Sequence, residues 1–303
     1  MTIGLLVLLS TVLAGLVLWF FLVGERGKFL PSTGDFLRQS GFGLRALHGY
    51  VYGRWSRQYV GALFSLTPSG PPSKGERWLA DHYHGKVLTH DHARAIVQID
   101  KSIPLQDLEQ IVPFPVARNI ILQAPADIVA FECVCRQNRP SHCQPTQVCM
   151  VIGRPITDFV LEHQPAAARR LTQAEALELL QQEHERGHVH SAWFKDAMLN
   201  RFYAICNCCK CCCGGIASMV NRGVRMMAGS GYVAEINPEL CAGCGDCVDA
   251  CPFLALSRNG EGTQRDWDRC MGCGVCQVKC STGAISLLRD QRKGIPLDVR
   301  ALA

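Results

Sequence analysis

The sequence predicts an α+β protein with an N-terminal transmembrane helix, a mixed α/β cysteine-rich middle domain and a small C-terminal domain with a repeated cysteine motif. Three observations support this prediction. Residues 3–23 carry no charged side chain, all 18 cysteines lie between Cys133 and Cys280, and one four-cysteine pattern occurs twice near the C-terminus. A chain of 303 residues is long enough for one large domain or two modest ones. The predicted boundaries are 1–24 for the anchor, 25–85 for a juxtamembrane linker, 86–230 for the cysteine-rich domain, 231–290 for the C-terminal domain and 291–303 for a tail.

The first element is the apolar segment at residues 3–23, "IGLLVLLSTVLAGLVLWFFLV". As a helix it would span about 30 Å, which is the thickness of the hydrocarbon core of a bilayer. A cleaved signal peptide is disfavoured because no basic residue precedes the apolar run and no small-x-small cleavage site follows it. Basic side chains follow the segment, at Arg26, Lys28, Arg38 and Arg45. We therefore expect a single-pass protein of the inner (cytoplasmic) membrane with its C-terminal bulk in the cytoplasm.

The charge and the cysteine content narrow the classes of ligand. The net charge is +5 with only 19% charged residues, and no polybasic run interleaved with aromatic residues is present. We therefore expect no nucleic-acid partner. In a reducing cytoplasm, a cysteine-rich sequence indicates metal ligation in preference to structural disulfides.

The most specific signal is a duplicated motif, "CAGCGDCVDACP" from Cys241 and "CMGCGVCQVKCS" from Cys270. Each copy has the spacing C-x2-C-x2-C-x3-C, which holds a [4Fe–4S] cube in bacterial proteins. Three thiolates at i, i+3 and i+6 on a tight loop can bind three corners of a cube. The paired glycines in each loop permit positive φ angles and let backbone N–H groups point at the sulfurs. The alternative, a zinc ribbon, requires two C-x2-C pairs separated by a longer gap.

The duplicated motif resembles the bacterial-type 2[4Fe–4S] ferredoxin domain, over about Val233 to Leu288. Pro252 follows the first copy as in that family, whereas Ser281 replaces the second proline. The resemblance implies a ferredoxin-like fold with two [4Fe–4S] clusters and crossed ligation, in which the fourth cysteine of each copy serves the other cluster. The implied ligand sets are Cys241, Cys244, Cys247 and Cys280 for one cluster, and Cys270, Cys273, Cys276 and Cys251 for the other.

The middle domain begins with short predicted elements. Thr89 caps a predicted helix, "HDHARAIVQI", and "PVARNIILQ" predicts a second helix with Pro115 in its first turn. The alternating segment "ADIVAFECVC" predicts a strand that ends at Cys133 and Cys135.

The strongest helix signal is "LTQAEALELLQQEHERG". Thr172 and Glu175 form a predicted capping box and Gly187 is a C-terminal stop signal. The histidines of this region form H-x-H pairs without a third ligand in view, so we expect them to be solvated on the surface. They are His82, His84, His90, His92, His188 and His190.

Ten cysteines of the middle domain remain outside the duplicated motif. Four lie in "CVCRQNRPSHC" and "VCM", namely Cys133, Cys135, Cys143 and Cys149, and six lie in "ICNCCKCCCGG". Within the latter, Cys206, Cys209 and Cys212 stand at i, i+3 and i+6 and are the candidate ligands. The hypothesis is a third cluster, or a third and a fourth, shared between the two sets. The alternative is a four-thiolate zinc site formed by Cys133, Cys135, Cys143 and Cys149.

The combination of "CVCR", "CNCC-x-CCC" and the duplicated motif resembles, over about residues 86–288, a group of uncharacterised prokaryotic 4Fe–4S-binding proteins. This resemblance implies extra clusters without naming a reaction. The sequence therefore predicts a membrane-anchored, polyferredoxin-like electron carrier, and it favours a carrier over a catalytic oxidoreductase. Two alternatives remain, an iron–sulfur oxidoreductase with a non-standard cluster in the CNCCKCCC region and a redox sensor. The expected partner is a redox protein or a membrane oxidoreductase complex.

Overall fold

A computed structural model of the chain describes residues 2–24, 27–41, 43–66, 71–108, 111–112, 119–260 and 262–302. The helices are α1 (Thr2–Gly24), α2 (Pro31–Ser40), α3 (Leu44–Arg54), α4 (Ser56–Leu66), α5 (Lys74–His82), α6 (His90–Val97), α7 (Val134–Gln137), α8 (Ile156–His163), α9 (Gln173–Glu185), α10 (Gly214–Arg222), α11 (Asp246–Ala250) and α12 (Val275–Val278). The strands are β1 (Tyr83–Val87), β2 (Ile103–Asp107), β3 (Asn119–Leu122), β4 (Ile128–Glu132), β5 (Gln147–Ile152), β6 (Ala168–Leu171), β7 (Val189–Lys195), β8 (Arg201–Cys208), β9 (Met227–Ala228), β10 (Tyr232–Ile236), β11 (Leu256–Asn259), β12 (Gly262–Arg265) and β13 (Ile285–Arg289).

The N-terminal helix differs from its prediction. Among the residues that the structure describes, no helix is both long and apolar enough to cross a membrane. The predicted transmembrane anchor over residues 1–24 and the inner-membrane localisation are therefore wrong, and the fold class loses its membrane part. The C-terminal end of α1 packs on the protein itself, since the ring of Phe20 lies 5.2 Å from that of Trp55 and 6.1 Å from that of Tyr50. At this end the apolar run serves tertiary packing.

The segment expected as a linker at 25–85 contains the helices α2 to α5. Phe36 of α2 and Tyr50 of α3 are fully buried and pack against Phe159 of α8. Gly49 permits this contact, because a Cβ there would stand 2.7 Å from the ring of Phe36 and 2.2 Å from the carbonyl oxygen of Ala197. These short, breaker-rich segments show little helical periodicity in the sequence, and it is packing on the body that supports them.

The body is built on a nine-stranded mixed sheet in the order β6-β4-β5-β8-β7-β1-β9, with β3 beside β8 and β2 beside β3. The central pairs β4–β5, β5–β8 and β7–β8 are antiparallel. Their register places Cys149 opposite Phe131 and Cys208 opposite Val189. The cysteine-bearing ends of β4, β5 and β8 therefore meet in one region of the sheet.

Several predicted boundaries are confirmed in the structure. The hydroxyl of Thr89 accepts a hydrogen bond from the His92 N–H at the start of α6, and Thr172 with Glu175 forms the capping box of α9. β4 ends just before Cys133, as the alternating pattern indicates. The predicted helix "PVARNIILQ" is wrong at residues 119–122, which form β3 because they pair with β2. Its first turn, with Pro115, lies outside the described residues.

The C-terminal domain is a compact unit of two small antiparallel sheets, β10–β13 and β11–β12, with α11 and α12. It packs tightly on the body. Phe253 and Val275 belong to the same buried apolar cluster as Trp193 of β7, and Lys279 donates a 2.8 Å hydrogen bond to the carbonyl oxygen of Glu185. The domain and the sheet therefore share a continuous apolar core.

Candidate metal centres

The C-terminal domain contains two small cavities lined by cysteines. One is lined by Cys241, Cys244, Cys247 and Cys280. The other is lined by Cys251, Cys270, Cys273 and Cys276. Each cavity thus combines three cysteines of one motif copy with the fourth cysteine of the other copy, which is the grouping that crossed ligation requires.

The backbone around these cavities suits anionic sulfur. The Ala255 N–H donates to Cys251 Sγ at 3.2 Å, and the Ala234 N–H donates to Cys270 Sγ at 3.4 Å. Gly245 and Gly274 adopt positive φ angles of 88° and 82° as each loop enters its short helix. Four thiols around a small cavity, with N–H donors directed at sulfur, fit a [4Fe–4S] cluster.

The two equivalent loop glycines, Gly272 and Gly243, provide a matched prediction about this backbone. Both have left-handed φ angles, 63° and 64°, but a Cβ at Gly272 would lie 2.2 Å from the Tyr232 carbonyl oxygen, whereas one at Gly243 meets nothing within 4 Å. We expect Gly243→Ala to cost about 1–2 kcal/mol of stability for the left-handed conformation. Gly272→Ala should cost about 2–5 kcal/mol, because about 1–3 kcal/mol of overpacking is added. Anaerobic denaturant titration, followed by visible absorbance, measures both, and equal losses would contradict the close approach.

The C-terminal domain is similar to known proteins. A family model described as a 4Fe-4S dicluster domain matches residues 234–281. An uncharacterised ferredoxin of Methanocaldococcus jannaschii is 37% identical over 54 residues, which make up 16% of this chain and 70% of that protein. The chain belongs to the 4Fe–4S dicluster ferredoxin family.

Two further relatives match the ferredoxin domain. The pyruvate synthase subunit PorD of Methanocaldococcus jannaschii is 31% identical over 58 residues, 19% of this chain and 67% of that subunit. A protein named "Probable ferredoxin" of Methanosarcina thermophila is 57% identical over 30 residues, 10% of this chain, and the chain spans only 52% of its length. The ferredoxin domain binds 4Fe–4S clusters.

The ten cysteines that precede the ferredoxin domain form two groups. Six of them form a closed ring, in which each thiol interacts with two others. The order around this six-thiol ring is Cys133, Cys149, Cys206, Cys208, Cys213, Cys135 and back to Cys133. The ring is assembled by rigid elements: the end of β4, α7, β5, β8 and the start of α10.

All six thiols line one cavity of about 360 Å³. Cys135, Cys149 and Cys206 are enclosed by the protein yet keep accessible surface because they face this cavity. Hydrogen bonds from Cys206 and Cys213 lower the pKa of Cys208 to about 7, whereas the pKa of Cys206 is raised by its hydrogen bonds to Cys149 and Cys208. The rest of the lining is largely apolar and includes Leu63, Phe64, Leu79, Trp193 and Met226.

The remaining four cysteines form a second, tighter cluster, which we call the four-thiol group. Its members are Cys143, Cys209, Cys211 and Cys212, and their sulfurs all lie within 4.8 Å of one another. Cys143 comes from the segment between α7 and β5, and the other three come from the turn between β8 and α10.

In the structure, each of the two ligand sets predicted from the sequence is split between the six-thiol ring and the four-thiol group. Cys206 belongs to the six-thiol ring, whereas Cys209 and Cys212 belong to the four-thiol group, so the i, i+3, i+6 triplet does not meet. The predicted zinc set is likewise divided, because Cys143 lies apart from Cys133, Cys135 and Cys149. As predicted, cysteines of residues 133–149 lie together with cysteines of residues 206–213, and this is so in both groups.

Buried cations lie beside both groups, and sequence reasoning missed them. Arg136 is fully buried, interacts electrostatically with Cys209 and Cys133, and has a 2.9 Å ion pair to the buried Glu183. The Nε of Arg136 has no hydrogen-bond partner among the described atoms. A thiolate-rich metal site would supply negative charge and an acceptor at this position. The signal in the sequence was the arginine directly after "CVC".

Lys195 is the second buried cation. Burial lowers the pKa of its ammonium group to about 8, and its Nζ lies 5.0 Å from the ring centres of Tyr52 and Tyr83. The hydroxyl of Tyr52 is 2.8 Å from that of Tyr203, and both tyrosines line a small space with Cys206. The ammonium group of Lys195 therefore packs against tyrosine rings next to the six-thiol ring, in a cation–π arrangement.

The histidines expected at the surface are partly internal. His84, His92 and His190 are buried, and His190 Nδ1 donates a 2.6 Å hydrogen bond to Asn207 Oδ1. Burial lowers the pKa of His190 to about 3, so it is neutral at physiological pH. The H-x-H pairs lie on or beside β1, α6 and β7, whose residues are largely buried.

Proposed function

We propose that the chain is an electron carrier with two [4Fe–4S] clusters in the crossed cysteine sets of its ferredoxin domain and a further iron–sulfur cluster in the six-thiol ring. The observation that carries the proposal is the closed ring of six thiols, which adds a third redox-competent ligand set to a chain that already has the two sets of its ferredoxin domain. A [4Fe–4S] cluster, when bound, supplies reversible uptake and release of one electron.

The residues of the ferredoxin domain suggest the order of transfer. Cys244 is exposed and lines the first cavity, and Leu240, which directly precedes Cys241, is 51% exposed, so this end of the domain is accessible to a partner protein. Cys251, Cys270 and Cys276 are buried, and Cys273 packs against the apolar core of the body. The first cavity is thus the outer site and the second the inner site.

The inner site and the six-thiol ring lie against one apolar cluster. Cys208 and Cys213 of the ring belong to the same buried cluster as Phe253 and Val275 of the ferredoxin domain. A dry, rigid medium between redox groups keeps their separation fixed and limits solvent reorganisation. We propose the order partner, outer site, inner site, six-thiol ring, with electrons moving in either direction.

The proposed partner is a redox protein that docks on the outer site. PorD, which matches the ferredoxin domain, is by name a subunit of pyruvate synthase, so one relative of this domain works within an oxidoreductase. The exposed apolar side chains Leu240 and Leu254, at 51% and 45%, border the first motif copy and offer a contact surface.

An anaerobic redox titration monitored by EPR tests the proposal on the full chain. A carrier is expected to give reversible signals from the ferredoxin clusters and from at least one further centre, all unchanged by added small molecules. The triple variant Cys206→Ser/Cys208→Ser/Cys213→Ser leaves three ring thiols, one fewer than a cubane binds, so it should remove the further signal and leave the ferredoxin signals in place. A titration in which every signal survives in the triple variant would contradict the assignment of a cluster to the ring.

A second candidate function is suggested by the cavity in front of the ring. Six thiols exceed the four that one cubane cluster binds, and a cavity of about 360 Å³ gives a small molecule room to approach them. In this alternative the ring holds a non-standard cluster with an open position and the ferredoxin domain supplies electrons. Carbon monoxide or cyanide added during the titration distinguishes the two, because only the oxidoreductase should show an altered signal.

A further inference from the structure

We propose that the four-thiol group binds a single zinc ion, separate from the iron–sulfur clusters. The inference concerns the metal type and uses Cys143, Cys209, Cys211 and Cys212. The inference is independent of the electron-transfer function proposed above.

The spacing of the sulfurs supports one ion. A tetrahedral zinc site has Zn–S bonds of about 2.3 Å, which places its four sulfurs about 3.8 Å apart. The sulfurs of the four-thiol group lie within 4.8 Å of one another, with Cys143 Sγ 3.0 Å from Cys211 Sγ and Cys211 Sγ 3.5 Å from Cys212 Sγ. Lengthening the shortest contact, between Cys143 Sγ and Cys211 Sγ, from 3.0 Å to about 3.8 Å would give the tetrahedral arrangement.

The ferredoxin domain provides an internal comparison. A cubane cluster binds each cysteine at a different iron corner and therefore keeps its four sulfurs farther apart than one ion does. Within the described part of the chain, two groups of metal-ligating side chains have ligand atoms this close, and neither contains a ferredoxin cysteine. The four-thiol group is thus more compact than the cluster-binding sets of the same protein.

The chain segments involved are suited to a structural cross-link. Cys143 lies in residues 138–146, a segment without helix or strand. Arg139 of this segment donates a 3.3 Å hydrogen bond from its Nε to the carbonyl oxygen of Cys212, in the turn after β8. Zinc has no redox chemistry of its own, so an ion here would fasten the segment to the turn. That turn lies between Cys208 and Cys213, and the ion would therefore also hold two members of the six-thiol ring in place.

The charges nearby fit a tetrathiolate site. Four thiolates around Zn²⁺ leave a net charge of about −2, and the buried guanidinium of Arg136 acts directly on Cys209. Lys210, between two of the ligands, is exposed and donates to the Asp249 carbonyl oxygen of the ferredoxin domain at 2.8 Å. Both cations would offset the charge of the site.

Metal analysis of the full chain, purified anaerobically, tests this inference. We expect one zinc per chain in addition to iron, and a zinc X-ray absorption spectrum with sulfur ligands only, at about 2.3 Å. Cys211→Ser should lose nearly all the zinc and keep the iron. Cys208→Ser, from the same stretch but in the ring, is the matched control and should keep the zinc.

Cys143→Ser provides an independent variant, since it lies outside that stretch and should lose zinc in the same way. Retention of the ferredoxin EPR signals verifies that each variant folds. The inference is overturned by a wild-type protein with iron but no zinc, by zinc that survives both variants, or by a Cys143–Cys211 disulfide in the mass spectrum of the anaerobic protein. A wild-type protein that holds zinc but gives no redox signal beyond those of the ferredoxin clusters would contradict only the proposed carrier.

Discussion

Replacing Cys280 by alanine is expected to remove the cluster held by the first motif copy, even though Cys280 belongs to the second. The reason is spatial, since Cys280 lines the outer cavity with Cys241, Cys244 and Cys247. The variant should lose about four irons per chain, or about one when a three-iron form survives. Its EPR spectrum should match that of Cys244→Ala.

Cys251→Ala is the matched control for this prediction. It lines the inner cavity with Cys270, Cys273 and Cys276, so its spectrum should match that of Cys273→Ala. Ligation within each motif copy predicts the opposite pairing, with Cys280→Ala resembling Cys273→Ala. The four spectra, recorded side by side, decide between crossed and uncrossed ligation.

Replacing Glu183 by glutamine is expected to lower the free energy of unfolding by about 3 kcal/mol. Glu183 and Arg136 are fully buried and paired at 2.9 Å, and Glu183 also accepts from Arg186 and His188, both at 2.6 Å. Removing one charge leaves Arg136 buried without its counter-ion, and this class of change costs about 3–5 kcal/mol. Anaerobic denaturant titration followed by circular dichroism measures the loss.

The same substitution at Glu178 is the control. Glu178 lies on the exposed side of α9 and interacts with Gln182, so Glu178→Gln should change stability by less than about 0.5 kcal/mol. The double variant Arg136→Met/Glu183→Gln should recover part of the loss, because no buried charge is left unpaired. A double variant less stable than Glu183→Gln would show that the contacts of Arg136 matter more than its charge balance.

The parts of the fold that the sequence predicts well have local causes. The ferredoxin loops are determined by cysteine spacing and by glycines with positive φ, and both loops adopt the expected conformation. The capping box at Thr172 and Glu175 uses atoms within one turn. Such features depend on neighbours in the chain, so one sequence contains the information.

The two middle-domain thiol clusters could not be predicted because they depend on strand register. The spacing of "CNCCKCCC" was interpreted as one loop, in which i, i+3 and i+6 converge. The segment instead continues β8 as far as Cys208, so Cys206 and Cys208 lie two residues apart on one strand and meet Cys149 of the neighbouring strand. In the turn after Cys208, the side chains of Cys209, Cys211 and Cys212 then lie next to that of Cys143.

The N-terminal prediction failed for a related reason. Composition alone favoured a membrane anchor, because residues 3–23 are apolar. Phe20 packs on Tyr50 and Trp55, at least 30 residues away, and Phe36 and Tyr50 pack on Phe159, more than 100 residues away. No local pattern reports contacts at that separation.

The central claim is that this chain stores and passes single electrons through its ferredoxin clusters and a further centre in the six-thiol ring. Coulometric titration of the anaerobically purified chain tests it most directly, because it counts the electrons that enter and leave. The account predicts reversible uptake of more than about two electrons per chain, since each cubane accepts about one. It also predicts that the surplus disappears in the triple variant Cys206→Ser/Cys208→Ser/Cys213→Ser, which leaves too few ring thiols for a cubane. Uptake of two electrons or fewer by the fully iron-loaded wild-type chain would contradict it.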